Sequence, residues 1–174
     1  DEQVERMRLI VTRLLQFARP GEFAGYVVNV DMSGLLDDCL VLVGHLLGRT
    51  GIEVKREHRA TLQPAINRQE LQQVLVNLLV NAIHAMPEGG KLGVRGRVEG
   101  HRVLIEVRDQ GAGFTAEALE HWGELFYSTK EGGMGVGLSV AGEIARAHGG
   151  SLSVANDPGG GAVVVPGSAL AVTV

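Results

Sequence analysis

Three short polar motifs in this 174-residue chain bring together side chains that can do chemistry. The first is Asn77-Leu78-Leu79-Val80-Asn81-Ala82. On a helix, an advance of about 100° per residue puts Glu70, Asn77, Asn81 and His84 on one stripe, with Leu71, Leu75, Leu78, Ala82 and Met86 opposite. Asparagine is a mediocre helix former because its side chain competes for backbone hydrogen bonds, so two of them one turn apart need a reason. The amide oxygen of Asn81 can complete the shell of a Mg²⁺ otherwise held by phosphates and water, since that ion is usually bound through few protein oxygens. His84, on the same stripe, can contact a phosphate. An ordinary solvated helix face is the alternative.

The second motif is Asp109-Gln110-Gly111-Ala112-Gly113, at the end of an alternating strand. Gly111 and Gly113 let the backbone turn sharply and approach a ligand closely. An ionised carboxylate accepts hydrogen bonds only, so Asp109 suits the exocyclic amino group of adenine, where guanine presents an oxygen. An Asp beside glycines is also a common plain turn. The third motif, Gly132-Gly133-Met134-Gly135-Val136-Gly137-Leu138-Ser139, runs directly into a helical pattern. Exposed loop amides backed by the positive end of a helix make an anion site without net basic charge. The motif lacks the closing Gly-Lys-Ser/Thr of a P-loop, and no strand leads into it as in a dinucleotide fingerprint. A linker before a helix is the simpler reading. Just upstream, Phe126-Tyr127-Ser128-Thr129-Lys130 offers an aromatic anchor and one flexible cation, a clasp over phosphates.

The elements that must position these residues follow from periodicity and breakers. Residues 3–18 carry Val4, Met7, Val11, Leu14 and Ala18 at three- and four-residue steps, an amphipathic helix stopped by Arg19-Pro20-Gly21. Ile10, Leu15 and Phe17 widen its apolar surface, which predicts packing into a bundle or dimer. A strand over 26–30 precedes a helix capped by Ser33 or Asp31 and running to about 47, ended by Gly48 and Gly51. Strands over 52–57 and 62–66 lead to a long helix capped by Asn67 and ended at Met86 by Pro87-Glu88-Gly89-Gly90. Alternation over 91–98 and 103–108 predicts a hairpin, 111–137 a glycine-rich loop, 138–147 a helix, and 151–155 with 162–165 a last strand pair. The order predicts an α+β fold, a mixed sheet covered by helices on one face and preceded by one amphipathic helix.

Composition narrows the partners. A net charge of −4 and a pI near 5.9 argue against a nucleic acid surface, so any phosphate must be handled locally. Cys39, the single cysteine, sits in an apolar run and is expected in the core. No apolar stretch approaches the ~20 residues of a membrane span, which leads to the expectation of a cytoplasmic chain whose parent protein can still be membrane-anchored.

Taken together, the motifs resemble the catalytic, ATP-binding domain of sensor histidine kinases, in the superfamily shared with type II topoisomerases, Hsp90 chaperones and MutL mismatch repair proteins. The segment from Asn77 to Ala82 resembles that family's N box, Asp109 to Gly113 its G1 box, Phe126 to Lys130 its F box, and Gly133 to Leu138 its G2 box. The form of the F box, with Ala85-Met86-Pro87-Glu88-Gly89-Gly90 after the N box, looks most like kinases of the nitrogen-regulation type. The resemblance implies a Bergerat-type two-layer sandwich that binds ATP and Mg²⁺, with Asn81 on the metal, Asp109 on adenine and residues 114–135 as the ATP lid. It implies nucleotide contacts from Asn77, Asn81, His84, Asp109, Gly111, Gly113, Phe126, Thr129, Lys130, Gly133, Gly135, Gly137 and Leu138. It also implies that residues 1–20 are the second helix of a dimerisation hairpin and 21–174 the ATP-binding domain, with a receiver domain of a response regulator as a further partner and no nucleic acid.

Two departures shape the functional expectation. Superfamily members that hydrolyse ATP carry a Glu one turn before the metal-binding Asn, where this chain has Asn77, and an amide cannot act as a general base near neutral pH. None of His45, His58, His84, His101, His121 or His148 has the acidic neighbour and helix expected of the family's phosphoacceptor. The expectation is therefore a kinase domain that transfers phosphate to a histidine it does not itself carry. An ATPase and a catalytically silent nucleotide sensor are the alternatives. Met134 replaces a small hydroxyl residue common in the G2 box, and the apolar tail over 169–174 can form a last strand or an edge that pairs with a neighbour.

Overall fold

The long helix that carries the first motif begins where a capping residue lets it. Asn67 is extended and its side chain accepts from the backbone N–H of Glu70 at 3.1 Å, so the helix starts at Arg68. In the computed structural model, which describes residues 3–4, 7, 27–58, 65–99, 102–124, 137–147, 150–156, 162–165 and 170–171, this helix is the centre of the helical layer. We label it α3 (Arg68–His84); before it come β1 (Val27–Asn29), α1 (Met32–Leu42), α2 (Gly44–Thr50), β2 (Ile52–His58) and β3 (Ala65–Asn67). After it come β4 (Gly90–Glu99), β5 (Arg102–Arg108), α4 (Ala116–His121), α5 (Gly137–Ala147), β6 (Ser153–Asn156), β7 (Ala162–Val165) and β8 (Leu170–Ala171).

The main sheet has the order β2-β4-β5-β7-β6, with β8 on the same edge of β5 as β7; β1 and β3 form a separate antiparallel pair. It is mixed, as expected: β2 and β4 are parallel and the remaining pairs antiparallel. Alternation along the strands sends Leu92, Val94, Ile105 and Val107 into the core and leaves Glu53, Lys55, Glu57, Arg95 and Arg108 exposed on the other face. Among the described residues the helices therefore cover one face. The core joins these strand residues to Leu75, Leu78, Leu79 and Ile83 of α3 and to Val140, Ala141 and Ile144 of α5. Helix α5 packs against α3 and buries two small side chains, Ala141 and Ala145, while its Gly142 lies under the Trp122 ring. Burying each of the larger aliphatic side chains is worth ~1.5–3 kcal/mol.

Several expectations shift in detail. The helix expected over 33–47 is two helices, because Val43 leaves helical geometry at φ −95° and ψ 4°. Its side chain stays in the core on the stripe of Leu36 and Cys39, while Val41 and Leu42 face solvent, so the apolar pattern continues through the break. Asp31, rather than Ser33, is the N-cap, accepting from Ser33 N–H at 3.1 Å. Gly48 lies inside α2, which ends at Gly51 in the left-handed region, φ 63°. The loop expected over 111–137 contains the short helix α4, capped by Thr115. The tail pairs within its own sheet, Leu170 opposite Val103 and Ala171 opposite Arg102. Of the amphipathic N-terminal helix, Gln3, Val4 and Met7 are helical, and its other residues lie outside the described set. Cys39 is fully buried, as expected, and burial pushes its thiol pKa up to about 11.

The turn after α3 is fixed by close packing. Gly89 has φ 89°, and a Cβ there would come within 2.7 Å of the Thr50 carbonyl oxygen. Gly89→Ala is expected to destabilise the chain by roughly 1–3 kcal/mol, from left-handed strain together with overpacking. Urea unfolding followed by circular dichroism measures it, and an unchanged midpoint would show that the α2–turn contact contributes nothing.

Candidate functional site

The polar stripe of α3 is graded along its length: Asn77 is buried at 6% exposure, Asn81 is half-buried and His84 is exposed. The core wraps further around the helix than its sequence pattern suggests, because α5 packs where a solvated face was the alternative. Asn77 is consequently a buried amide, and such a group is costly unless hydrogen-bonded. Its Oδ1 accepts from Gln73 Nε2 at 2.8 Å, and its Nδ2 donates to the Gly137 carbonyl oxygen at 3.1 Å. Gly137 is the last glycine of the third motif and the first residue of α5. One side chain thus ties the first motif to the end of the third.

The second motif meets α3 at its other end. Gly111 sits so close to the helix terminus that a Cβ would fall 2.4 Å from the Ala85 carbonyl oxygen. Its glycine identity is thus required by backbone packing on Ala85. Gln110 N–H donates to Met86 Sδ at 3.3 Å, and Gln110 Oε1 accepts from Lys91 N–H at 2.9 Å. Asp109, only 3% exposed, accepts from Gly111 N–H at 2.8 Å, and Gly113 turns the chain at φ 77°. Asn77 and Ala85 are separated by roughly 12 Å along the helix axis at about 1.5 Å per residue, so the Asp109 loop and the start of α5 bracket Asn81 and His84.

Beyond Gly113 the chain is held twice more. Asn156, at the end of β6, accepts from Phe114 N–H at 2.7 Å and donates through Nδ2 to the Phe114 carbonyl oxygen at 2.8 Å. At the far end of α4 the Trp122 ring lies over Gly142 of α5, 3.5 Å from where a Cβ would stand. A buried carboxylate beside a tight glycine turn, an amide stripe and a helix N-terminus after a glycine run are therefore brought to one side of α3.

Residues 66–166 match the family model described as histidine kinase-, DNA gyrase B-, and HSP90-like ATPase. The chain belongs to this HATPase_c family. Its similarity to the sensor histidine kinase ZraS of Klebsiella oxytoca is 34% identity over 167 residues, covering 92% of this chain and 35% of that protein. Full-length ShkA, solved in complex with AMPPNP, superposes with a TM-score of 0.83 at 28% identity, over 99% of this chain and 37% of that one. Histidine kinase ThkA, solved in complex with the response regulator protein TrrA, superposes with a TM-score of 0.79 at 25% identity, over 94% of this chain and 47% of that one. The chain spans about a third of the length of the curated relatives it matches. It is a HATPase_c domain of the histidine kinase type, and its α+β mixed sheet is the fold of those catalytic domains.

Within this HATPase_c domain, Asn77 and Gly137 touch directly, Asn81 and His84 share the same helix face, Asp109, Gly111 and Gly113 form one loop, and Leu138 packs on the core edge. Phe126, Thr129, Lys130, Gly133 and Gly135 lie outside the described residues, as does the expected lid after residue 124. Sequence reasoning missed Gln73, Asn156 and the Trp122–Gly142 contact. Asn156 stands 42 positions from Phe114, and before Asp157-Pro158-Gly159 it reads as an ordinary turn residue, so no local signal exposes it.

His121, at the end of α4, pairs through Nδ1 with Glu124 Oε1 at 2.6 Å. The hydrogen bond to Glu124 raises its pKa, with the nearby charges of Glu124, Glu120 and Glu117 adding and desolvation opposing. A raised folded-state value stabilises the folded chain fully below pH ~6.5, and that contribution is lost as the pH rises through the raised value. In an NMR titration of the ring protons, His121 is expected to titrate above the unperturbed range and to fall back in Glu124→Gln; identical titrations in both proteins would refute the pairing. A second expectation concerns Asn77. Asn77→Ala leaves the Gln73 amide and the Gly137 carbonyl without this partner and should cost ~1–3 kcal/mol in denaturant unfolding.

Proposed function

We propose that this chain is the ATP-binding catalytic part of a sensor histidine kinase, delivering the γ-phosphate of Mg-ATP to a histidine on a hairpin helix outside the domain. The observation that carries the reading is the buried Asp109 carboxylate at a tight glycine loop, set against the same helix whose Asn77 holds the start of α5. Asp109 is suited to accept from the adenine amino group. The N-terminus of α5, following the glycine run, offers backbone amides and a partial positive charge to the phosphates. His84, exposed on the same stripe, is read as a further nucleotide contact. The binding of AMPPNP by ShkA and the assembly of ThkA with TrrA support ATP as ligand and a receiver domain as downstream partner.

The donor set on α3 fits a Mg²⁺ ion. A half-buried amide oxygen at Asn81, without a surrounding cage of carboxylates on its stripe, suits a cation that keeps phosphate and water as most of its shell. Bound there, the ion would neutralise charge on the transferring phosphoryl group. Asn81 would orient it, Asp109 would fix the base, and Asn77 would keep α5 in place. Asn77 provides no proton acceptor for water, which favours transfer over hydrolysis. Residues 1–20 are read as the second hairpin helix, through which the full protein dimerises; the exposure of Val4 and Met7 on that helix, 57% and 60%, supports a partner helix.

Radiolabelled ATP offered to this chain, with and without a separate hairpin polypeptide carrying the acceptor histidine, tests the reading. Label should pass to the hairpin only when Mg²⁺ and this chain are present, with little free phosphate released by the chain alone. Asp109→Asn should weaken ATP binding by about 1–3 kcal/mol through loss of a charge-assisted hydrogen bond. Tight binding with no transfer to any acceptor hairpin would instead indicate a silent sensor, and rapid phosphate release by the chain alone an ATPase.

A further inference from the structure

We propose that Asn156 is a positioning residue for the adenine end of the nucleotide pocket, a role that rests on the ATP-binding reading above. It holds the exit of the Asp109 loop as a strand partner would hold another strand. Its carboxamide accepts from the N–H and donates to the C=O of the same residue, Phe114, at 2.7 and 2.8 Å. Of the uncharged side chains, only an amide supplies both a planar donor and a planar acceptor for such a two-point grip. The grip closes a circuit through the sheet. Arg108, the residue before Asp109, pairs with Val163 of β7, and the adjacent Ala162 pairs with Asn156.

Both ends of the 109–114 segment are therefore referred to one rigid ladder. At the entry, Gln110 and Gly111 are pinned on Met86 and Ala85 of the α3 terminus. At the exit, Gly113 is in the left-handed region, where glycine has many accessible conformations, and Asn156 is what selects one. Directly after it, Thr115 accepts from Ala118 N–H at 3.1 Å and starts α4. Without Asn156 the loop keeps its entry anchor and loses its exit anchor, so the Asp109 carboxylate samples more orientations toward a base. Recognition of adenine against guanine depends on that orientation, whereas phosphate contacts made elsewhere do not.

Isothermal titration of the whole chain with ATP, AMP and GTP, at a temperature where circular dichroism shows every variant folded, tests this. Asn156→Ala should lose roughly three- to tenfold in affinity for ATP and by the same factor for AMP, with GTP affinity unmoved, so that the ATP:GTP ratio narrows. Asn156→Asp keeps the acceptor and loses the donor, and its ATP:GTP ratio should fall between the two. An Asn156→Ala protein with a lower melting temperature and an unchanged ATP:GTP ratio would overturn the proposal, since the grip would then serve stability alone. A loss for ATP that is absent for AMP would overturn it as well, by moving the effect to the phosphates. A wild-type chain that binds no ATP at all would instead overturn the nucleotide reading on which the proposal stands.

Discussion

A single buried carboxamide, that of Asn77, keeps the two ends of the site in register. Helix α5 packs against α3 and buries small side chains, Ala141 and Ala145, and such a smooth surface resists separation better than it resists sliding. The bond from Asn77 Nδ2 to the first carbonyl of α5 removes that freedom, because no other axial position of α5 brings Gly137 to it. At the opposite end of α3, backbone packing of Gly111 on Ala85 performs the same service for the Asp109 loop. One helix is thus the ruler against which a carboxylate and a helix N-terminus are both set, and the sheet beneath has mainly to hold that helix still.

An acidic protein that binds polyphosphate has to do so without a basic surface, and the distribution of its cations fits that demand. On the uncovered sheet face Lys55, Glu57, Arg95, Glu106 and Arg108 alternate in sign, with Arg95 paired to Glu57 at 2.7 Å and Arg108 to Glu106 at 2.6 Å. Hydrogen bonds from Lys55 and Arg95 hold the Glu57 carboxyl below its ordinary range. Exposed pairs of this kind add little stability, but they satisfy the cations locally and leave no long-range field to gather anions. Arg56 and Arg68 are engaged likewise by Asp37 and Asp38 of α1. In the proposed reading, backbone amides and the α5 dipole would then carry much of the phosphate affinity, and being directional and short-ranged they would serve specificity more than capture.

What could be read from the chain was whatever is decided within a few residues. The Asn67 cap, the length of α3, the β4–β5 hairpin and the final strand pair all rest on local hydrogen bonds and periodicity, and all are present. The four motifs were likewise legible, and all lie within the residues 66–166 that the family model matches. The break at Val43 was not, because Val43 continues the buried stripe of Leu36 and Cys39, so the hydrophobic pattern runs through it unmarked. Helix α4 was hidden because six residues in a glycine-rich stretch carry too short a period to register, and its support comes from Trp122 reaching Gly142. The burial of Asn77 and the grip of Asn156 belong to the same class, contacts across 60 and 42 positions that no pattern along the chain announces.

The use made of Asn77 also bears on why the site should transfer rather than hydrolyse. A glutamate at this position, as in the hydrolysing relatives, would present oxygens to the Gly137 carbonyl that now receives a donated N–H. Ionised, it would be a charge in a site of 6% exposure facing another acceptor, and it would push α5 away or draw in water. Protonated, with its pKa raised well above ~4.3 by burial, it could hold the carbonyl but could no longer take a proton from water. The same atom cannot be both the donor that ties α5 to α3 and the base that activates a hydrolytic water. An asparagine resolves the conflict in favour of the tie, so in the proposed reading one residue both holds α5 and leaves water without a base at this position.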